Sequence, residues 1–242
     1  VDDGRIEGTF LVPESRIPGV LFVHGWGGSQ ESDLARARGI AGLGCVCLTF
    51  DLRGHGVTRA QQEKVTREYN LRDLLAAYDR LAGHPSIDQS AIAVMGNSYG
   101  AYLAAILTEL RPVQWLALTV PALYRDQDWY TPKKNLPRTD LERYRRSPVG
   151  PAENRALGAC ARFEGDVLVL EAANDHLVPH ATVMNYRRSF ERAHSLTYRR
   201  IDGADHAMTG ERCQRAYTSI LVGWATEMII GRRIGGAEPG PY

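Results

Sequence analysis

The residues with chemistry to offer begin at Gly96-Asn97-Ser98-Tyr99-Gly100, a G-x-S-x-G pattern set between the apolar run 91–95 and a helix-like segment starting at Tyr99. A serine at such a strand–turn–helix junction sits on a sharp elbow that holds its Oγ out at the C-terminal end of a sheet. The glycines two residues to either side relieve the crowding of that turn. The helix that follows points its N-terminus, and with it a partial positive charge, at any oxyanion forming beside the serine. Ser98 is the candidate nucleophile.

A serine hydroxyl is a weak nucleophile until a base takes its proton, and the base needs an acid to orient it. With this kind of elbow the chain order is serine, then Asp or Glu, then His. Downstream of Ser98 the histidines are His176, His180, His194 and His206. His206 closes the loop Asp202-Gly203-Ala204-Asp205-His206, after the apolar run 196–201 and ahead of the last helical segment, and is the candidate base. His176 and His180 fall in the stretch that should deliver the acid. There Asp175 stands out, in the loop after the run 166–170, with Glu171, Asp202 and Asp205 as rivals. Asp205 adjoins His206 too closely for an easy in-plane contact and is expected to organise the loop or cap the helix beginning near Thr209.

The electrophilic half is sought in His24-Gly25-Trp26-Gly27-Gly28, after the apolar run 20–23. Its glycines allow tight backbone turns beside a substrate, and the Trp26 N–H is expected to join that of Tyr99 in an oxyanion hole. The Trp26 side chain reads equally as pocket wall or as packing, and His24 as a structural hydrogen-bonding residue of the loop. No H-E-x-x-H or comparable ligand cluster occurs, and the loop lacks both G-x-G-x-x-G and a Walker lysine. Neither a metal nor a cofactor is expected.

These residues must be held by a scaffold. Apolar runs at 17–24, 44–50, 90–95, 113–120, 166–170 and 196–201 are mostly continuous rather than alternating, as strands covered on both faces are. Residues 6–12 read as a further, antiparallel edge strand. Helices are expected at 32–43, 66–81, 99–110, 180–190 and 209–230. The second carries Leu71, Leu74, Leu75, Tyr78 and Leu81 on one stripe, with Thr66 as N-cap and Gly83 and Pro85 at its stop. Cys213, Ala216, Tyr217, Ile220, Trp224 and Met228 form the corresponding stripe of the last. Repeated strand–helix units predict an α/β fold with a mostly parallel central sheet covered by helices on both faces.

Residues 121–155 break the rhythm with prolines at 121, 132, 137, 148 and 151 and one short helical candidate, 139–146. This is too small for a core of its own. It reads as a short cap insertion in a single domain, 1–234, followed by a flexible tail, 235–242. Tyr124, Trp129 and Tyr130 are candidate pocket residues alongside Trp26, or anchors of the insertion. Eight Lys and Arg against five Asp and Glu give the insertion a net charge of +3. A solvated face is the plain reading, and a clamp for a substrate carboxylate or phosphate the sharper one.

The chain of 242 residues is 44% hydrophobic and 24% charged, with 29 Lys and Arg against 28 Asp and Glu. A formal charge of +1 supplies no broad field for nucleic acid or anionic lipid. The expected partner is a small-molecule substrate, with no nucleic acid and no membrane insertion, and the oligomeric state is open. Cys45, Cys47, Cys160 and Cys213 contain no C-x-x-C pair, and Cys45 and Cys47 read as small buried hydrophobes on one strand face. The opening VDDGRIEG is acidic where a signal peptide is basic, and no long apolar run follows, so a cytoplasmic location is expected.

HGWGG at 24–28, DLRGHG at 51–56, GNSYG at 96–100, the Asp175 stretch ending at Pro179 and GADH at 203–206 come in an order that resembles the α/β-hydrolase superfamily of serine hydrolases. The similarity runs from about residue 17 to residue 230 and is greatest to the small esterase, serine aminopeptidase-like and dienelactone hydrolase-like branch. The resemblance implies Ser98, Asp175 and His206 as nucleophile, acid and base, oxyanion N–H groups at Trp26 and Tyr99, and structural roles for Arg53 and His55. It implies hydrolysis of a small-molecule carboxylic ester through an acyl-enzyme. Peptide or amide, thioester, and lactone or C–C hydrolysis are the alternatives on the same residues, and a non-catalytic binding protein on this scaffold is a more distant one.

Overall fold

Alternate residues of each apolar run face opposite sides of one sheet, and this builds two hydrophobic layers. The computed structural model describes residues 16–235. The strand expected at 6–12 and the tail at 236–242 lie outside the described residues. Six strands, β1 (Ile17–Val23), β2 (Val46–Thr49), β3 (Ile87–Asn97), β4 (Trp115–Thr119), β5 (Asp166–Ala172) and β6 (Ser195–Ile201), pair in the order β2-β1-β3-β4-β5-β6. Every pairing is parallel. Leu21, Val23, Ile92, Val94, Leu116, Leu118, Val167 and Val169 enter one layer; Val20, Phe22, Ala93, Met95, Trp115, Ala117, Leu168 and Leu170 enter the other. Each such burial stabilises the fold by about 1.5–3 kcal/mol for a full-sized aliphatic side chain.

Among the described residues the helices are α1 (Glu31–Ala41), α2 (Arg67–Ala82), α3 (Tyr99–Leu107), α4 (Arg138–Arg146), α5 (Arg155–Arg162), α6 (His180–Ser189) and α7 (Glu211–Gly235). Residues of α2, α3, α5 and α6 close the first layer, and those of α1 and α7 the second. The α2 stripe is buried through Leu71, Leu74, Tyr78 and Leu81, and Thr66 accepts the Tyr69 N–H at 3.2 Å as its cap. On α7 the buried centre runs through Tyr217, Leu221, Trp224, Ala225 and Ile229, so the expected stripe is rotated slightly about the axis.

Two elements depart from the sequence expectation. β3 begins at Ile87, ahead of its apolar run, because Ile87 pairs with Ile17 across a register shift. α5 was not expected. Its two turns are capped by Asn154, whose Oδ1 accepts the Ala156 and Leu157 N–H groups at 3.0 and 3.3 Å. Its small residues pack Ala156, Leu157 and Cys160 into the first layer.

The strand order fixes where a site can form. The chain leaves β1 to one side for β2 and returns on the other side as β3, so the order in which strands are added reverses between β1 and β3. Ligands of open α/β sheets bind outside the carboxyl ends of strands at such a switch point. The HGWGG and GNSYG loops leave β1 and β3 there. No helix among the described residues is long and apolar enough to cross a membrane.

Candidate active site

Ser98 occupies φ 51°, ψ −108°, a conformation L residues rarely adopt. Three backbone bonds hold it there: its N–H donates to the Thr119 carbonyl at 2.8 Å, and its carbonyl accepts from Tyr102 and Ala122, each at 3.1 Å. The flanking glycines are required by contact. A Cβ on Gly96 would lie 2.5 Å from the Ala101 Cα, and one on Gly100 would meet the Val23 carbonyl oxygen. The elbow is thus wedged between α3 and the end of β1.

The structure brings Ser98, His206 and Asp175 into one hydrogen-bonded line. His206 Nε2 lies 2.9 Å from Ser98 Oγ, and its Nδ1 lies 2.6 Å from Asp175 Oδ2. Asp175 Oδ1 accepts the Leu177 and Val178 N–H groups, both at 2.8 Å, and its side chain is 2% exposed. The acid loop and the base loop are laced together beyond the β5–β6 pairing: Ala173 N–H donates to Ile201 at 3.1 Å and Asn174 N–H to Ala204 at 2.8 Å.

The rival carboxylates are engaged elsewhere. Glu171 is buried and binds His180 Nδ1 at 2.9 Å and the Tyr198 hydroxyl. Asp205 accepts from the Thr209 N–H and hydroxyl at 2.8 and 2.6 Å, and these bonds hold its carboxyl below the usual range. Asp202 sits exposed in the turn. Of the other histidines, His194 pairs with Asp166 at 2.8 Å, a bond that raises its pKa, and His176 is exposed.

The HGWGG loop lies against the elbow, with a Cβ on Gly25 only 3.4 Å from the Ser98 Cβ. His24 is buried and pins this loop. Its Nε2 accepts the Leu52 N–H at 3.0 Å, which leaves Nδ1 to carry the proton donated to the Gly25 carbonyl at 2.8 Å. The backbone N–H groups of Trp26 and Tyr99 are taken up by no acceptor among the described residues. The Trp26 ring stands edge-on to Tyr99 and His55 at 5.4 and 4.8 Å. Burial lowers the pKa of His55, with His24 and Lys133 adding to the effect. Arg53 binds Asp73 at 2.8 Å, a contact that ties the 51–56 loop to α2.

The four candidate pocket side chains separate. Tyr124 is 2% exposed, packed edge-on to Tyr99 and Tyr102 at 5.8 and 4.9 Å. Trp129 is buried and donates Nε1–H to Glu68 at 2.8 Å, anchoring the insertion to α2. Tyr130 is 75% exposed and points away from packing. Trp26 is half-buried.

The reading of the insertion's charge as a solvated face needs correction. Arg138, Arg143 and Arg146 are exposed, but Arg145 is buried and Lys133 is enclosed by aromatic rings, its Nζ 4.2 Å from the Trp26 centroid. Burial lowers the pKa of Lys133, while Tyr124 opposes the shift. Sequence reasoning passed over Lys133 and Arg145 individually, and over Arg67 at the start of α2. The available signal was the interleaving of cations with Tyr124, Trp129 and Tyr144. Among the described residues no group of three or more His, Cys, Asp or Glu side chains is arranged to hold a metal ion.

Comparison with known proteins places this geometry in context. An uncharacterized protein of Mycobacterium tuberculosis is 30% identical over 164 residues, 67% of this chain and 54% of the relative. The chain therefore spans about half the length of the curated relatives it matches. A structure from work on the metagenome-derived lipolytic enzymes LipS and LipT superposes with a TM-score of 0.67 at 19% identity, covering 88% of this chain and 94% of that one. The Paleococcus ferrophilus monoacylglycerol lipase superposes with a TM-score of 0.64 at 16% identity, covering 88% and 97%. At those identities the likeness is one of fold. The prolyl oligopeptidase family model matches residues 32–231, and with that match over a parallel, helix-covered sheet the chain belongs to the prolyl oligopeptidase family of α/β-hydrolases.

Proposed function

We propose that this hydrolase cleaves small-molecule carboxylic esters with Ser98 as nucleophile, His206 as general base and acid, and Asp175 as the group that orients His206. The observation that carries the reading is the continuous line from Asp175 Oδ2 through the His206 ring to Ser98 Oγ, at 2.6 and 2.9 Å. His206 Nε2 takes the serine proton as Oγ attacks the carbonyl, and Asp175 stabilises the imidazolium that results. The tetrahedral oxyanion is held by the N–H groups of Trp26 and Tyr99, which are otherwise without acceptors among the described residues. Collapse expels the alcohol with the proton from His206. Water, deprotonated by His206, then attacks the acyl-enzyme and releases the acid, regenerating Ser98.

A fluorophosphonate probe tests the nucleophile directly. The wild type should be labelled at Ser98 and the Ser98→Ala protein should not, with ester turnover falling at least about a thousandfold. Labelling that persists in the variant sinks the assignment. The family match supports a second reading, amide or peptide cleavage by the same residues. Glu171 and Asp126, two carboxylates of the right charge to hold a substrate amine, are bound to His180 and to the Arg155 N–H, which weighs against it. Turnover of aminoacyl amides exceeding that of matched esters would reverse the order of the two readings.

A further inference from the structure

Three cations converge on the ring of Tyr124. Lys133 Nζ lies 5.4 Å from its centroid, the Arg145 guanidinium carbon 5.0 Å and that of Arg67 5.5 Å. Arg67 is fully buried and Arg145 nearly so. Their hydrogen bonds go to neutral groups. Arg67 Nη1 donates to the Tyr102 hydroxyl at 3.3 Å and the Arg125 carbonyl at 2.8 Å, while its Nε and Nη2 have no partner among the described residues. Arg145 donates to the Leu123 and Leu177 carbonyls at 3.2 and 2.8 Å. The carboxylate Asp126 feels the field of Arg67 but is shared with Arg155, whose N–H it accepts at 2.7 Å. The Tyr124 hydroxyl accepts hydrogen bonds from Lys133 and Arg145, and these two lower its pKa against the effect of its burial; a ligand anion would relieve the positive charge that remains.

The excess reaches the site at one point. Lys133 is the outermost of the three, and its Nζ stands over the faces of Trp26 and Tyr99 at 4.2 and 5.3 Å. These are the residues whose backbone N–H groups are proposed to hold the oxyanion. Its position is held from both ends: the Lys133 N–H donates to the Val65 carbonyl at 2.9 Å, and the aromatic faces attract the ammonium. A cation so placed is not a solvated surface charge.

We propose that Lys133, backed by Arg145 and Arg67, is the specificity-determining contact for an anionic group, a carboxylate or a phosphate, carried by the substrate near its scissile carbonyl. The substrate class is then an acidic ester, of which a dicarboxylic acid hemiester is the simplest member. This rests on the proposed ester hydrolysis at Ser98 and names the substrate class of that site.

Two measurements test it. The first is kcat/KM for an aryl glutarate hemiester and for its uncharged isostere, the aryl ester of glutaric acid monoamide. The wild type should prefer the hemiester. Lys133→Met should lower the hemiester-to-neutral ratio about 10- to 100-fold, the value of one charge-assisted hydrogen bond, and Lys133→Arg should restore most of it. A ratio near one in the wild type, or unchanged in Lys133→Met, overturns the proposal. The second is calorimetric binding of glutarate and of inorganic phosphate to Ser98→Ala and to Ser98→Ala/Lys133→Met. Binding of either anion that weakens by the same factor in the double variant supports the contact and tells carboxylate from phosphate. Equal affinity in the two proteins, or no binding of either, overturns it. Anion binding that depends on Lys133 without hydrolysis of either ester keeps the contact and defeats the ester reading.

Discussion

His24 Nε2 accepts the backbone N–H of Leu52 at 3.0 Å, joining two loops that lie 28 residues apart in the chain. With Nδ1 bound to Gly25, one buried imidazole sets the path of the backbone leading into Trp26. Replacing it by His24→Phe keeps a ring but orphans the buried Leu52 N–H, while the Gly25 carbonyl retains the Gly28 N–H at 3.0 Å. Each buried orphan costs about 1–3 kcal/mol. Chemical denaturation should show a loss in that range or above. Ester turnover should fall through kcat more than KM if the Trp26 N–H has its proposed place at the oxyanion, since that contact is made to the transition state rather than the bound substrate.

Gly100 and Gly223 make a paired prediction. A methyl group at Gly100 would run into the Val23 and His24 carbonyls, whereas Gly223, exposed on α7, has open space around it. Gly100→Ala should destabilise by about 3 kcal/mol or more, since backbone atoms cannot step aside as side chains do. Gly223→Ala should stabilise by about 0.5–1 kcal/mol through helix propensity. Thermal melts of the two variants check both signs.

The two aspartates nearest His206 should separate cleanly. Asp175→Asn keeps the shape of the loop and removes the carboxylate that faces Nδ1. Turnover should drop by about 10⁴ with little change in stability. Asp205→Ala loses the two bonds to Thr209 at the head of α7 and should cost about 1 kcal/mol while leaving turnover within a few-fold. Turnover that survives in the first and vanishes in the second would mean the acid is misassigned.

Acid sensitivity should trace in part to His55. Burial, reinforced by His24 and Lys133, lowers its pKa in the fold from 6.5. The native state therefore favours neutral imidazole, and the unfolded chain takes up the proton first as the pH falls. The stability tied to His55 is fully present above about pH 6.5 and is lost as the pH falls from there toward the folded pKa. His55→Phe keeps a ring against Trp26 and removes the titration. Its denaturation midpoint should decline less steeply than that of the wild type between about pH 7 and about pH 5.

The parts of the fold that showed in the sequence are those set by local pattern. The α2 stripe and its Thr66 cap follow from residues within one or two turns of each other. α5 did not show, because its eight residues make only two turns, too few for its one-sided apolar face to repeat along the sequence. Its stability comes from Asn154 and from packing on α3 and α6. Likewise the run 91–95 marked the apolar half of β3, but the polar half from Ile87 exists only through pairing with β1.

By itself, the sequence determined the elbow: two glycines around Ser98, a strand before and a helix after, all in one contiguous stretch from residue 91 to residue 110. It also limited the acid to four carboxylates and the base to four histidines. Choosing among them took the tertiary structure, since the loops after β5 and β6 meet only when those strands pair in register, Ala172 against Ile201. That pairing sets Asp175 beside His206 and turns Glu171 toward His180 and Tyr198. Tertiary structure also divided the insertion's cations, leaving Arg138, Arg143 and Arg146 in water and enclosing Lys133 and Arg145 in aromatic surroundings. Net charge is a sum over residues, whereas the chemistry of a charge depends on what surrounds it, and only folding settles the surroundings.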